Sequence, residues 1–188
     1  PRPAPREPMS ENKLVKFDHL FSPLQVGPMR VPNRICETTN TINSSQAPGL
    51  IDDHFIAHHV AKARGGTGWI GSETWLLDSP FPPETPDEVG LAVGFASHYA
   101  AYQNPPFADG MTKFAGEVHK TGAVVLVELT QRSAGWGPSR VVVVCAQDYT
   151  PHVMGEEEIE YCLDTYAKAA AVAQEAGADA IEIHCAHE

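Results

Sequence analysis

Two histidines, three residues apart, follow a short apolar stretch near the end of the sequence. The stretch is Ala180-Ile181-Glu182-Ile183, and His184 and His187 come after it. A helical segment and a turn at 176–179 precede it, so the pattern predicts a β-strand that follows a helix. Barrels of alternating strands and helices carry their reactive groups at the carboxyl ends of the strands. The histidines are therefore candidate active-site residues. The alternative is two polar residues at a strand end with no chemical role.

The elements that must position these histidines alternate along the chain. Three further core strands are predicted at 34–39, 69–74 and 123–129, and three helices at 51–64, 105–120 and 156–176. The strand Ala123–Leu129 is a nearly unbroken apolar run, which is typical of a strand buried on both faces in a parallel sheet. Strands that alternate with helices predict an α/β fold with right-handed crossovers.

The remaining segments are predicted to be short strands, loops and a tail. Two short strands are expected within 24–33, on either side of a Gly-Pro turn. Long loops are expected around the proline-rich segment 79–84 and over 130–154, and loops of this length are usually functional or mobile. Residues 1–16 have no hydrophobic core of a secretory signal and are expected to be a disordered lead-in. Residues 17–188 are expected to form one domain or part of a larger one.

The composition argues against several classes of function. The formal net charge is -11, whereas binding to nucleic acid or an anionic membrane requires clustered Lys and Arg. No apolar stretch approaches the roughly 20 residues that span a bilayer. The four cysteines are scattered without a Cys-x-x-Cys pair, which predicts reduced thiols in a cytoplasmic protein.

His54 and His58 are four residues apart on the first predicted helix, a spacing that can bind zinc. The sequence between them, Phe55-Ile56-Ala57, lacks the glutamate of a metalloprotease motif. We therefore expect residues of the helix surface and no metal site.

Four motifs occur in order between residue 17 and the end of the sequence. They are Leu20-Phe21-Ser22-Pro23-Leu24 with Val31-Pro32-Asn33-Arg34-Ile35; Ala63-Arg64-Gly65-Gly66-Thr67-Gly68-Trp69-Ile70 with Glu73-Thr74; Val127-Glu128-Leu129; and Ile181-Glu182-Ile183-His184-Cys185-Ala186-His187. Together they resemble the old yellow enzyme family, and more narrowly its branch of 2,4-dienoyl-CoA reductases and NADH:flavin oxidoreductases.

The resemblance implies a (β/α)8 TIM barrel that holds FMN at the carboxyl face of its strands. A full barrel takes roughly 250 residues, so this chain resembles its N-terminal half, the first four βα units. Half a barrel exposes unpaired strand edges and an apolar inner face. We therefore expect a second polypeptide, or sequence missing here, to complete the barrel in a heteromeric complex or other oligomer.

The resemblance also implies roles for individual residues. His184 and His187 would be catalytic, donating hydrogen bonds to a substrate oxygen over the flavin. Residues at the ends of the first three core strands would bind the cofactor: Thr38, Thr39, Asn40, Thr41, Ser72, Glu73 and Glu128. Glu128 departs from the glutamine usual in the family, because an ionised carboxylate accepts hydrogen bonds but cannot donate them. A structural Glu128 paired with an arginine is the alternative.

The implied activity is that of an FMN-dependent oxidoreductase of the ene-reductase type. NAD(P)H would reduce the flavin, and flavin N5 would exchange hydride with a small organic substrate. Two alternatives stay open, an amine dehydrogenase or demethylase of the same family and a non-catalytic subunit of a split flavoenzyme. An iron–sulfur cluster or FAD, where the family has them, belongs to sequence downstream of the barrel.

Overall fold

A computed structural model describes residues 17–40, 50–77, 105–131, 136–139 and 152–185. In chain order the elements are β1 (Leu24–Val26), β2 (Met29–Val31), β3 (Cys36–Glu37), α1 (Asp53–Arg64), β4 (Trp69–Gly71), β5 (Trp75–Leu76), α2 (Pro105–His119), β6 (Val124–Thr130), β7 (Trp136–Gly137), β8 (His152–Val153), α3 (Glu156–Glu175) and β9 (Ala180–Ile183). β1 and β2 form an antiparallel hairpin around Gly27, which has a φ of 55°.

The central sheet is parallel throughout. β3 pairs with β4, β4 and β5 both pair with β6, and β9 pairs with β6. Because β4 and β5 follow each other along the same partner, they act as one strand with an interruption. The spatial order is therefore β3, β4–β5, β6 and β9, which is also the order in the chain. This confirms the predicted α/β fold with a parallel sheet.

The interruption between β4 and β5 is a bulge. Gly71 pairs with Leu126 and Trp75 pairs with Leu129, so the three residues 72–74 lie opposite the two residues 127–128. An extra residue on one strand bends that strand and increases its twist. The amide of Ser72 still donates to the carbonyl of Leu126 at 2.8 Å, so pairing ends only after the bulge has begun.

The helices cover one face of the sheet. α1 begins at the cap residue Asp52, whose carboxylate accepts from the amide of Phe55 at 2.9 Å. Its buried residues pack with those of α2 and α3 on β6, and every residue of β6 is buried. The most deeply buried side chains include Phe114, Met111 and Ile70. This layer is the hydrophobic core.

Two contacts fix the helices relative to the sheet. Gly110 of α2 lies so close to the carbonyl of Ile51 that any Cβ there would overlap it. Asp179, just before β9, accepts at Oδ2 from the amide of Val125 and from Nε2 of His119, each at 2.8 Å. The amide of Asp179 also donates to the carbonyl of Val125 at 2.9 Å. Asp179 thus joins the end of α2 to the starts of β6 and β9.

The predicted core strands and helices are confirmed, with shifts of a few residues at their ends. The first core strand is shorter than predicted, since only Cys36 and Glu37 pair. The segment 130–154, predicted to be a loop, contains the parallel pair β7–β8. The lead-in 1–16 and the proline-rich segment 79–84 lie outside the described residues. In the parts of the chain that the structure describes, no helix has the length and apolarity to cross a bilayer.

Candidate active site

Alternation along β6 separates the helix-covered face of the sheet from a second face. Val125, Val127 and Leu129 belong to the core beneath the helices. Because successive side chains of a strand point to opposite faces, Val124, Leu126 and Glu128 point away from the helices. The register of the parallel strands extends this second face to neighbouring residues, namely Cys36, Trp69, Gly71, Ala180 and Glu182. We call it the site face.

Glu128 lies near the carboxyl end of β6 and is only 6% exposed. Its Oε1 accepts a short hydrogen bond from the hydroxyl of Thr74, in the bulge of the neighbouring strand. Its Oε2 lies 3.3 Å from Nδ1 of His184. The amide of His184 donates to the carbonyl of Leu129 at 3.0 Å, which holds the histidine beside β6 just beyond β9. A threonine, a carboxylate and an imidazole from three strands therefore meet at this end of the sheet.

Glu182 is the second carboxylate of the site face. It is the register partner of Glu128 on β9, and its Oε2 accepts from the hydroxyl of Thr39 at 3.4 Å. Cys36 is also close to Glu182. Burial raises the pKa of the Cys36 thiol, and the charges of Glu182 and Glu37 raise it further. Cys36 is therefore a neutral thiol at neutral pH.

Glu37 points to the opposite face and ties β3 to α1. Its Oε1 forms a very short ion pair with Lys62 and lies 3.5 Å from Nδ1 of His59, which is almost completely buried. Burial by itself would raise the pKa of Glu37, but the hydrogen bonds and charges of His59 and Lys62 outweigh burial and hold the pKa below its usual value. The charged carboxylate thus anchors the strand end that leads into Thr38 and Thr39.

The close approach of β3 and β4 has a steric basis. A Cβ on Gly71 would lie 2.8 Å from the carbonyl oxygen of Glu37 and 2.9 Å from the amide nitrogen of Thr39. Real side chains do not make such contacts with backbone, so this position requires glycine. Glycine at position 71 allows the end of β3, with Thr39, to lie against β4.

The predicted site residues divide into three groups. Thr39, Glu128 and His184 carry the contacts just described on the site face. Thr38 and Asn40 are exposed, whereas Ser72 and Glu73 are buried in the bulge, where the Ser72 hydroxyl donates to the Glu73 carbonyl at 2.9 Å. Thr41 and His187 lie outside the described residues.

Two members of the site were not among the predicted site residues, Thr74 and Glu182. Glu182 precedes His184 by two residues, so strand alternation alone places both on one face. Thr74 had no comparable signal, because its position depends on the bulge. Within the described residues, no three His, Cys, Asp or Glu side chains are grouped so that they could hold a metal ion.

Comparison with known proteins identifies the family of this chain. The model of the NADH:flavin oxidoreductase / NADH oxidase family matches residues 19–188. The chain therefore belongs to that family, which confirms the resemblance drawn from the motifs.

Two relatives and one solved structure illustrate the similarity. The chain is 25% identical over 186 residues to N,N-dimethylglycine/sarcosine dehydrogenase of Chromohalobacter salexigens, which covers 92% of this chain and 25% of that protein. It is 27% identical over 176 residues to NADPH dehydrogenase of Bacillus subtilis, covering 89% of this chain and 48% of that protein. Morphinone reductase in complex with tetrahydroNAD matches with a TM-score of 0.66 at 20% identity, over 89% of this chain and 49% of the other.

The chain thus spans about half the length of NADPH dehydrogenase and of morphinone reductase, and a quarter of the length of the dimethylglycine/sarcosine dehydrogenase. The likeness to morphinone reductase establishes the fold, since the solved structures of this family are (β/α)8 barrels. The residues matched by the family model, 19–188, include the parallel sheet, its helices and the site face.

Proposed function

We propose that this protein is part of an FMN-dependent oxidoreductase that exchanges hydride with a small organic substrate and uses NAD(P)H as its reductant. The observation that carries this proposal is the meeting of Thr74, Glu128 and His184 at the carboxyl ends of adjacent parallel strands. Barrel enzymes build their active sites at that end, and the matching family is one of flavin oxidoreductases.

The polar groups of the site face suit the pyrimidine edge of a flavin. That edge presents one N–H donor and two carbonyl acceptors. Glu128 can accept from the N–H, and the hydroxyl of Thr38 and the amide of Asn40 can donate to carbonyls. The Thr39 hydroxyl could do the same on leaving Glu182. We propose that these residues hold FMN, with Thr41, Ser72 and Glu73 completing the wall. Bound FMN would supply reversible hydride transfer, which no side chain can supply.

The proposed role of His184 and His187 is to bind the substrate beside the flavin and to exclude other orientations. Two substrate classes are candidates. An activated alkene is the class implied by the ene-reductase resemblance. An amine is favoured by a specific observation, the adjacent carboxylates of Glu128 and Glu182, which make the site face attractive to cations. One relative is a dehydrogenase of N,N-dimethylglycine and sarcosine.

We further propose that this chain forms the first four units of a barrel that another polypeptide or additional sequence completes. Ile183 supports this proposal. Its side chain points to the face of the sheet that the helices cover, yet it is 60% exposed. A following βα unit, packed on β9, would cover it and pair the edge of the strand.

The proposed function is tested first by flavin content and reduction. The protein is isolated without added flavin, the released cofactor is identified by mass, and loss of flavin absorbance is followed without oxygen after adding NADPH or NADH. We expect one FMN per barrel and reduction by at least one nicotinamide. A flavin-free protein, or a flavin that neither nicotinamide reduces, would refute the proposal.

Native mass spectrometry of the same sample tests the completed barrel. A mass larger than that of this chain, together with one FMN, is the expected result. A flavin-bound assembly made only of this 188-residue chain would refute completion by other sequence. His184→Ala serves as a matched variant, because it should keep FMN and its reduction by nicotinamide while losing reoxidation of the flavin by an alkene or its reduction by an amine.

A further inference from the structure

The contact between Glu128 and His184 determines which ring nitrogen of the histidine carries hydrogen. Thr74 donates to one oxygen of the Glu128 carboxylate, and Nδ1 of His184 lies 3.3 Å from the other. An ionised carboxylate can only accept hydrogen bonds. A hydrogen bond at this second oxygen therefore requires a hydrogen on Nδ1, and in the neutral ring Nε2 is then an acceptor.

We propose that Glu128 and His184 form an acid–base dyad that accepts a proton from a protonated amine substrate, with His184 as the catalytic base and Glu128 as its positioning residue. This inference rests on the proposed function and selects the amine among its two substrate classes. It assigns to Glu128 a role toward His184 in addition to any contact with the flavin.

The identity of residue 128 determines whether Nε2 of His184 donates or accepts a hydrogen bond. A glutamine there could donate its amide hydrogen to Nδ1, which would leave hydrogen on Nε2 and allow the ring to donate to a substrate oxygen. Glutamate reverses this arrangement, because it accepts from Nδ1. In a neutral His184, Nε2 is therefore a hydrogen-bond acceptor, whereas in the glutamine-containing site it is a donor. Glutamate at position 128, in place of glutamine, thus changes which ligand groups His184 can bind.

The charges around the dyad agree with a cationic ligand. Glu182 is the register partner of Glu128, so two carboxylates lie on this face. Cys36, the titratable group of β3 on this face, is a neutral thiol because its pKa is raised. Among the described strand residues that the register places on the site face, none is Lys or Arg. An ammonium group would offset the negative charge of this surface, whereas an oxyanion would add to it.

The proposed step is a single proton transfer. The proton leaves the ammonium nitrogen for Nε2 of His184, and the products are a neutral amine and an imidazolium. Glu128, held in place by Thr74, stabilises the imidazolium through Nδ1, as a carboxylate does for histidine in other acid–base pairs. Only the neutral amine has the nitrogen lone pair that makes its neighbouring C–H bond a hydride donor. The hydride would go to the oxidised FMN of the proposed function, leaving an iminium ion, so an amine would take the place of NAD(P)H as the reductant of the flavin. General-base catalysis of this kind typically contributes about 10²- to 10⁴-fold.

The tautomer of His184 can be measured directly by ¹⁵N NMR of the complete protein, labelled at histidine, with the signal assigned by its loss in His184→Gln. We expect hydrogen on Nδ1 and an unprotonated Nε2 in the neutral ring. In Glu128→Gln the hydrogen should move to Nε2. Hydrogen on Nε2 in the unmodified protein would overturn the proposal, and this readout is taken on the unmodified protein itself.

Ligand binding by calorimetry provides a second test that does not depend on turnover. Trimethylammonium has one N–H to donate, tetramethylammonium has the same charge without it, and phenolate is an oxyanion. We expect the unmodified protein to bind trimethylammonium at least about tenfold more tightly than tetramethylammonium, because a charge-assisted hydrogen bond is worth that much. Phenolate should bind more weakly than either.

Two isosteric variants distinguish the effect of the dyad on ligand binding from the effect of negative charge alone. Glu128→Gln should abolish the preference for trimethylammonium over tetramethylammonium and strengthen phenolate binding. Glu182→Gln removes the same charge but leaves the dyad, so it should weaken both ammonium ions equally and keep their ratio within about twofold. Loss of the preference in Glu182→Gln, or its survival in Glu128→Gln, would overturn the proposal.

The two proposals fail in distinguishable ways. Absence of FMN, or of reduction by NAD(P)H, removes the proposed function but leaves the tautomer and binding results interpretable. A flavin that nicotinamide reduces, in a protein that prefers phenolate and carries hydrogen on Nε2, keeps the proposed function and removes the dyad.

Discussion

Glu128 and Glu182 are register partners on β6 and β9, so two carboxylates lie side by side on the site face of the sheet. Each has its own hydrogen-bond partners, Thr74 and His184 for Glu128 and Thr39 for Glu182. Neighbouring negative charges raise the energy of any further negative charge placed beside them. This relationship bears directly on a cofactor that gains electrons.

Glu128→Gln should raise the reduction potential of the bound flavin. The substitution removes a buried negative charge next to the proposed flavin edge, so the electron-rich reduced form is less destabilised. We expect a positive shift on the order of tens of millivolts, measured by equilibration with a reference dye. Glu117→Gln, on the outer side of α2, makes the same change in charge away from the site and should leave the potential unchanged. A lower potential in Glu128→Gln would contradict this.

Glu37→Gln should reduce stability in a pH-dependent way. Because the folded-state pKa of Glu37 lies below its ordinary value of 4.5, its contribution is present above pH 4.5 and is lost as the pH falls through the folded-state value. We expect a loss of about 1–2 kcal/mol in the free energy of unfolding at pH 7. The difference between the two proteins should shrink toward pH 3. Urea titrations at both pH values provide the measurement.

Glu160→Gln is the control for this experiment, since it changes an exposed carboxylate of α3. It should alter the unfolding free energy by less than about 0.5 kcal/mol at either pH. A Glu37→Gln difference that grows on acidification would show that the carboxylate does not stabilise the fold as an ion.

Gly110→Ala should destabilise the protein although alanine favours helices. The added Cβ would overlap the carbonyl of Ile51, so α2 would have to move away from the segment before α1. Gly116→Ala, in the same helix, is the matched control, because its Cβ would meet nothing within 4 Å. Thermal denaturation should show a loss of about 1–3 kcal/mol at position 110 and a gain of up to about 1 kcal/mol at position 116. Equal effects at both positions would disprove the steric argument.

Asp179→Ala should cost more stability than His119→Ala. The aspartate accepts from the amide of Val125 as well as from His119, so its removal leaves a backbone donor in the sheet without its partner. We expect a loss of about 1–3 kcal/mol for Asp179→Ala. His119→Ala removes only a partly exposed ion pair and should cost less than about 1 kcal/mol. Urea titration compares the two variants. A larger loss of unfolding free energy in His119→Ala would be inconsistent with the hydrogen bond from the Val125 amide to Asp179 being the more important contact.

The sequence predicted those parts of the fold that depend on local pattern. The apolar run 123–129 indicated a buried parallel strand, and the alternation of strands and helices indicated a parallel α/β sheet, as found. The site was partly predictable, because strand ends collect functional groups and the motifs pointed to Glu128 and His184. The contact between these two residues was not predictable, since it joins positions 56 apart in the chain. The role of Thr74 was not predictable for the same reason, because a bulge is defined only relative to its partner strand.

The bulge at 72–74 also determines where this sheet tolerates a change in chain length. Three residues there lie opposite two, so removing one of them would leave a regular ladder with Thr74 still beside Glu128 and Trp75 still beside Leu129. The same deletion within Trp69–Gly71 would shift that part of the strand by one position. Every side chain that moved would then turn to the other face. Insertions and deletions during the divergence of this strand would therefore accumulate at Ser72 and Glu73.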